Sequence, residues 1–237
     1  MSPARKTALL LDFDGTLVPI GQTPDAVHVS DDLQRLMANA LERLEGRVAV
    51  ISGRSLEQLD ALWGKGLWPV TVAASHGLEL RHDGRLQAPP PASIFARLTR
   101  ETEARFGAAN GVVIELKSFG LGLHYRLAPR LRERLQEWAE ACADEHDLIV
   151  QPGDMVFELR LPGADKGDAV RTIMQRAPFA GSHPVYFGDD LTDVPAMHAA
   201  RAFGGRGITV GPRIAARGDE ALDNPDDVLR RIRALIA

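Results

Sequence analysis

The chain is poor in cysteine. Cys142 is the only one, so no disulfide can close within the chain and a fold stapled by bridges is excluded. Its setting, Leu135-Gln-Glu-Trp-Ala-Glu-Ala-Cys142, reads as a helix face, which predicts a buried or half-buried structural thiol rather than a reactive one. Blocks of like charge are also missing: 28 Lys and Arg stand against 32 Asp and Glu, a formal net charge of −4. Without a basic stripe to follow a phosphate backbone or an anionic membrane, nucleic acid and membrane are not the expected partners. Long apolar runs are absent as well. The first, Ala8 to Leu11, is too short for a signal-peptide core or a membrane span, and the expectation is a cytoplasmic protein. No repeat or low-complexity tract appears.

What is present is ordinary globular material: 237 residues, 45% hydrophobic and 25% charged. At the usual ~150 residues per domain this length fits one domain with a large insertion, or two compact units. Short Val-, Leu- and Ile-rich runs alternate with amphipathic segments of helical period, the pattern of parallel strands joined by crossover helices. Strands are expected at Thr7 to Phe13, Arg47 to Ile51, Val70 to Ala74, Val185 to Gly188 and Gly207 to Val210. Helices are expected near Asp31 to Leu44, Ser55 to Trp63, Lys166 to Arg176 and Val194 to Ala200. The fold class is therefore α/β, with a doubly wound parallel sheet whose strands do not alternate because both faces are buried. Residues 81–160 change character and read as an α-β-β-α-β-β insertion between core segments 1–80 and 161–237. Ala88-Pro-Pro-Pro91 before it and Leu161-Pro-Gly-Ala164 after it suit two hinge strands.

The first strand runs into Asp12-Phe13-Asp14-Gly15-Thr16-Leu17. Side chains two apart on an extended segment share a side, so Asp12 and Asp14 present two carboxylates at the strand's carboxyl end, where open α/β sheets bind ligands. Like charges so placed need a proton or a cation, and a hard oxygen-seeking ion such as Mg²⁺ fits. Asp14-Gly15 alone would also serve as a simple turn with an Asx cap. Gly188-Asp189-Asp190-Leu191-Thr192-Asp193 supplies a second acidic cluster behind another strand, with more carboxylates than an N-cap requires. Ser52 and the Gly53 N–H stand before a helix with a Ser55/Gln58 capping box, an anion site in form, although Ser-Gly turns are common there. Lys166 also opens a helix, where a cation is misplaced with respect to the dipole unless an anionic ligand compensates it; read singly, it would be a solvated lysine.

Taken together and in this order, the four segments resemble the haloacid dehalogenase superfamily of aspartate-nucleophile phosphotransferases, and the insertion resembles the α/β cap of its sugar-phosphatase branch. Within that superfamily the chain is similar to the bacterial trehalose-6-phosphate phosphatase family, through Gln22-Thr-Pro-Asp-Ala-Val27, Ser52-Gly-Arg-Ser55, Ser75-His-Gly77, Glu115-Leu-Lys117, His124-Tyr-Arg126 and Pro152-Gly-Asp-Met-Val-Phe-Glu-Leu159. Two departures stand out: Val194 replaces an acid after the fourth motif, and Ser118 differs from the glycine expected after Lys117.

The resemblance implies a phosphoric monoester hydrolase acting on a sugar phosphate, with Asp12 as nucleophile, Asp14 as acid and base, and Ser52 and Lys166 cradling phosphate. It implies Mg²⁺ held by Asp12, Asp14 through its main-chain carbonyl and Asp189, with Asp190 and Asp193 in support. Sugar hydroxyls would be met by Glu115, Lys117, His124, Arg126 and Glu158 on the cap, and by Gly53, Arg54 and His76 on the core. From pattern alone the cap residues equally describe a solvated sheet face with cross-strand ion pairs. Trp63 and Trp68 are expected to pack rather than stack on sugar. Other expectations weighed are a different sugar phosphate as substrate, a phosphomutase, and a silent sugar-phosphate sensor; functional pairing with trehalose-6-phosphate synthase is a further expectation, as is closure of the cap about its two linkers.

Overall fold

The computed structural model describes residues 6–21, 23, 26–64, 69–88, 93–107, 110–117, 119–162 and 165–237. The chain divides into two compact units, one formed by Met1–Gly21, Val27–Ala88 and Ala164–Ala237, the other by Gln22–Ala26 and Pro89–Gly163.

The first unit begins with β1 (Thr7–Leu11), α1 (Asp31–Arg43), β2 (Val48–Ile51), α2 (Leu56–Trp63), β3 (Thr71–Ala74), β4 (Glu79–His82) and β5 (Arg85–Gln87). After the second unit's α3 (Ile94–Phe106), β6 (Val113–Lys117), β7 (Gly120–His124), α4 (Arg132–His146), β8 (Ile149–Gly153) and β9 (Val156–Arg160), it resumes with α5 (Lys166–Met174), β10 (His183–Gly188), α6 (Val194–Ala202), β11 (Arg206–Val210), β12 (Glu220–Leu222) and α7 (Pro225–Ile236).

Its eight-stranded sheet has the order β12-β11-β10-β1-β2-β3-β4-β5 and is parallel from β12 through β3. Central β1 shows why the sequence reads as it does. Leu9 and Leu11 enter one apolar layer with Leu33 and Met37 of α1 and Ile232 of α7, while Ala8 and Leu10 enter another with Val170 and Ile173 of α5 and Met197 of α6. A strand covered on both faces has no polar side to show, so the run is continuous. From β1 the chain winds outward through β2 and β3, and after β10 it winds the other way through β11 and β12. The gap between β1 and β10 is therefore a topological switch point, the place where such sheets leave a crevice.

The expected strands and helices of this unit are all present, with ends shifted by a few residues. Two features were not expected. The segment from Glu79 to Gln87, partly assigned to the insertion from residue 81, pairs antiparallel with β3 through Val72↔Arg81 and Ala73↔Leu80 and extends the first sheet. Leu80 is buried there, which holds the hairpin to the core. The C-terminal helix α7 is also new: Asn224 caps it, Pro225 opens it, and Val228, Ile232 and Ile236 form its buried stripe.

The second unit is an antiparallel sheet of order β6-β7-β9-β8. Leu121, Leu123, Phe157 and Leu159 line one face and pack with Phe95, Leu98 and Phe106 of α3 and Leu135 and Cys142 of α4. Cys142 is buried, and that burial pushes its thiol up to about 11, so it is a packing group rather than a nucleophile. No helix among the described residues is long and apolar enough to cross a membrane. Of the expected hinges, residues 89–92 and 163–164 lie outside the described residues, as do Trp68, Ser118, Gln22, Pro24 and Asp25.

Candidate active site

Asp12 follows β1 directly, and its N–H donates to the Phe187 carbonyl of β10 at 2.9 Å, fixing it at the switch point. Its carboxylate is buried and accepts from Lys166 Nζ at 2.6 Å and from Thr16 Oγ1 at 3.2 Å. Lys166 is held at the start of α5, where Asp165 and Asp168 form a capping box, and it donates a second bond of 2.7 Å to Asp193 Oδ1. The lysine misplaced at a helix N-terminus is thus compensated by two carboxylates. Burial disfavours its charge, but Asp12 and Asp193 outweigh that and hold its proton more tightly than usual.

Asp193 is fully buried and fully employed. Tyr186 Oη donates to Oδ1 at 2.5 Å, and the Asp189 and Asp190 N–H groups donate to Oδ2 at 3.1 and 3.0 Å. Its carboxylate therefore shapes the 189–193 loop and fixes Lys166. Asp190 caps that loop and pairs with Arg213 at 3.1 Å. Asp189 differs: among the described residues no donor bonds its carboxylate, which lies against Gly15. A Cβ on Gly15 would stand 2.2 Å from Asp189 Oδ2, and Gly15 has φ +78°, so glycine is required twice over.

One carboxylate oxygen each from Asp12, Asp189 and Asp193 lies within 4.8 Å of the others. Burial, then repulsion from Asp193, raises Asp12 to about 7, and burial, then repulsion from Asp12, raises Asp189 to about 9. Lys166 bonds two of the three acids, Asp12 and Asp193, and the third, Asp189, has no donor among the described residues. All the donors are hard oxygens, so the residues fit a divalent cation such as Mg²⁺, with Asp12 and Asp189 as the side chains best placed to hold it.

Ser52 follows β2, is buried, and accepts from the Arg54 N–H at 3.1 Å through its hydroxyl. His76 occupies a turn in which Ser75, His76 and Gly77 all have positive φ, and its ring lies over Gly53, where a Cβ would come within 2.6 Å of Nε2. Asp14 does not join the carboxylate cluster through its side chain. Its oxygens accept from Arg54 Nε and Nη2, both at 2.7 Å. Trp63 is buried and packs on Phe13, 5.7 Å between ring centroids. Val194 opens α6 and packs against an apolar layer.

Within the second unit, Glu115, Lys117, His124 and Glu158 form one network: His124 Nε2 lies 2.8 Å from Glu115 Oε2, and Lys117 Nζ lies 3.0 Å from Glu158 Oε1 and 3.8 Å from Glu115 Oε2. Gly122 separates Glu115 from Glu158 across the register, leaving space between two acids that a side chain would fill. Arg126 instead bonds Asp154 in the β8–β9 turn at 2.6 Å. Sequence reasoning passed over Thr16, Tyr186, Arg213 and Asp154. Thr16 stands inside the first motif and Asp154 inside the Pro152–Leu159 segment, so both were legible in the sequence; Tyr186 and Arg213 are brought to Asp193 and Asp190 only by the fold.

An open sheet with acids at the ends of β1 and β10, and a lysine at the start of the helix that leads into β10, defines an α/β core of the haloacid dehalogenase type. A family model described as trehalose-phosphatase matches residues 10–218. The chain is 38% identical over 236 residues to a probable trehalose-phosphate phosphatase of Sinorhizobium fredii, covering 97% of this chain and 87% of that one. It is 33% identical over 209 residues to the trehalose-6-phosphate phosphatase of Escherichia coli, covering 87% and 78%. In fold it is similar to the C. albicans trehalose-6-phosphate phosphatase C-terminal domain, with a TM-score of 0.82, 23% identity and coverage of 98% and 92%. The chain belongs to the trehalose-phosphatase family and is a phosphatase, a phosphoric monoester hydrolase.

Proposed function

We propose that this chain hydrolyses trehalose 6-phosphate to trehalose and phosphate through a phosphoryl group carried on Asp12. The observation that carries this reading is the buried Asp12 carboxylate, held by Lys166 at 2.6 Å at the switch point of the sheet. A carboxylate in that position attacks phosphorus while the bond to the sugar oxygen breaks, dividing one displacement into two. Asp14 gives its proton to the departing oxygen and then takes one from the water that releases phosphate from Asp12. Lys166 and Ser52 hold phosphate oxygens, and Asp193 keeps Lys166 in place. A divalent ion bound by Asp12 and Asp189, with the Asp14 carbonyl, would neutralise phosphate charge so that one anion can approach another. Glu115, Lys117, His124 and Glu158 supply donors and acceptors in number for a disaccharide's hydroxyls, which is the support for assigning sugar recognition to the second unit.

The test is phosphate release from a panel of sugar phosphates with and without chelator. Trehalose 6-phosphate is expected to have the highest kcat/KM and the chelator to abolish release. A better substrate elsewhere in the panel refutes the specificity, and chelator-resistant turnover refutes the ion.

A further inference from the structure

Arg54 and Asp14 are forty residues apart in the chain and meet as a two-point fork, Nε on one carboxylate oxygen and Nη2 on the other, both at 2.7 Å. Such a fork fixes direction as well as distance. It also engages both carboxylate oxygens as acceptors, so Asp14 has to leave the fork before it can reach a leaving group. The two partners are not equally anchored. The Arg54 side chain is 9% exposed, its N–H donates to Ser52 Oγ, its carbonyl accepts from the Ser75 N–H at 2.7 Å, and its guanidinium lies over the Phe13 ring at 5.6 Å. The Asp14 side chain is 35% exposed and is followed by Gly15 at φ +78°. The arginine is the more enclosed and more anchored of the two partners.

We propose that Arg54 is a positioning residue that holds the Asp14 carboxylate between turnovers and releases it when Asp14 swings to the leaving oxygen. This rests on the acid and base role given to Asp14 above. Hydrolysis of the phosphoryl-Asp12 leaves a proton on Asp14; that proton passes to water as the carboxylate returns to the fork, and water gives one back when Asp14 leaves the fork for the next sugar oxygen. Asp14 is thereby kept beside the reacting centre in one orientation, and a lysine, a single point charge, cannot reproduce the two-point hold.

The experiment compares single-turnover rates of the first displacement for trehalose 6-phosphate, whose sugar oxygen must be protonated, and p-nitrophenyl phosphate, whose phenolate leaves without help. Arg54→Ala and Arg54→Lys are each expected to slow the sugar phosphate by at least roughly tenfold more than the aryl phosphate, the bias expected when general acid catalysis is impaired. Asp14→Asn is expected to show the same bias, and in its background either Arg54 change is expected to add less than about twofold, as for residues acting as one unit. Equal slowing of both substrates, restoration by lysine, or multiplying effects in the double variants overturn the proposal. Should Arg54→Ala fail to fold, Arg54→Lys carries the same comparison. If Asp14→Asn shows no bias, the acid role of Asp14 fails and the proposal with it; if trehalose 6-phosphate is a poor substrate but another sugar phosphate shows the bias, only the substrate assignment fails.

Discussion

Asp189 is the acid whose position says most about the site. Its carboxylate has no donor among the described residues, and burial with Asp12 nearby raises it to about 9, while Asp12 is raised to about 7. Both ordinarily titrate near 3.8. Between these limits the folded protein binds protons that the unfolded chain has released, so in the absence of a cation stability falls as pH rises from about 4 to about 9. Thermal melts in chelator should show that decline, and Asp189→Asn should raise the melting temperature at pH 8 while removing the response to Mg²⁺. For the unaltered protein, Mg²⁺ at 100 times its Kd should contribute about 2.7 kcal/mol. A melting temperature that rises through this pH range, or an Asn variant that still responds fully to Mg²⁺, contradicts the assignment. At this scale the acids and Lys166 were legible because their spacing places them at element ends. The hold of Arg54 on Asp14 and of Tyr186 on Asp193 was not, since only the folded backbone brings those pairs together.

The turn after β1 and the loop after β10 are shaped around one another. A methyl group on Gly15 would meet Asp189 Oδ2 at 2.2 Å, and one on Gly188 would meet Asp193 Cγ at 2.4 Å. Gly15→Ala should leave helix and strand content unchanged by circular dichroism and lower kcat by about 10²-fold, the usual penalty for misplacing reacting groups by about an ångström; near-normal kcat would show that the turn tolerates displacement. In the second unit, Phe157 is buried and stacks on Tyr125 with 5.1 Å between centroids. Phe157→Ala should cost about 3–5 kcal/mol in denaturant unfolding, and a loss below 1 kcal/mol would place that ring outside the core. The central strands were readable because burial on both faces leaves a continuous apolar run. The β4–β5 hairpin was passed over because β5 is three residues, all exposed, although Asp83-Gly84 carried the signal: both have positive φ in the turn between them.

Across the whole chain, ordinary composition and a small negative charge directed attention away from nucleic acid and membrane, and the order of four motifs around an insertion directed it to a phosphatase core. Which acids converge came from the resemblance and not from composition or periodicity, because it depends on β10 lying beside β1 rather than following it in sequence. The chemistry drawn from this arrangement passes through Asp12. Rapid acid quench during turnover of trehalose 6-phosphate, followed by mass spectrometry of the peptide containing residues 10–17, tests it most directly. The expected result is one phosphoryl group on Asp12, absent from Asp12→Asn, which should also release no phosphate; full turnover by Asp12→Asn, or a phosphoryl group trapped on another residue, would contradict it.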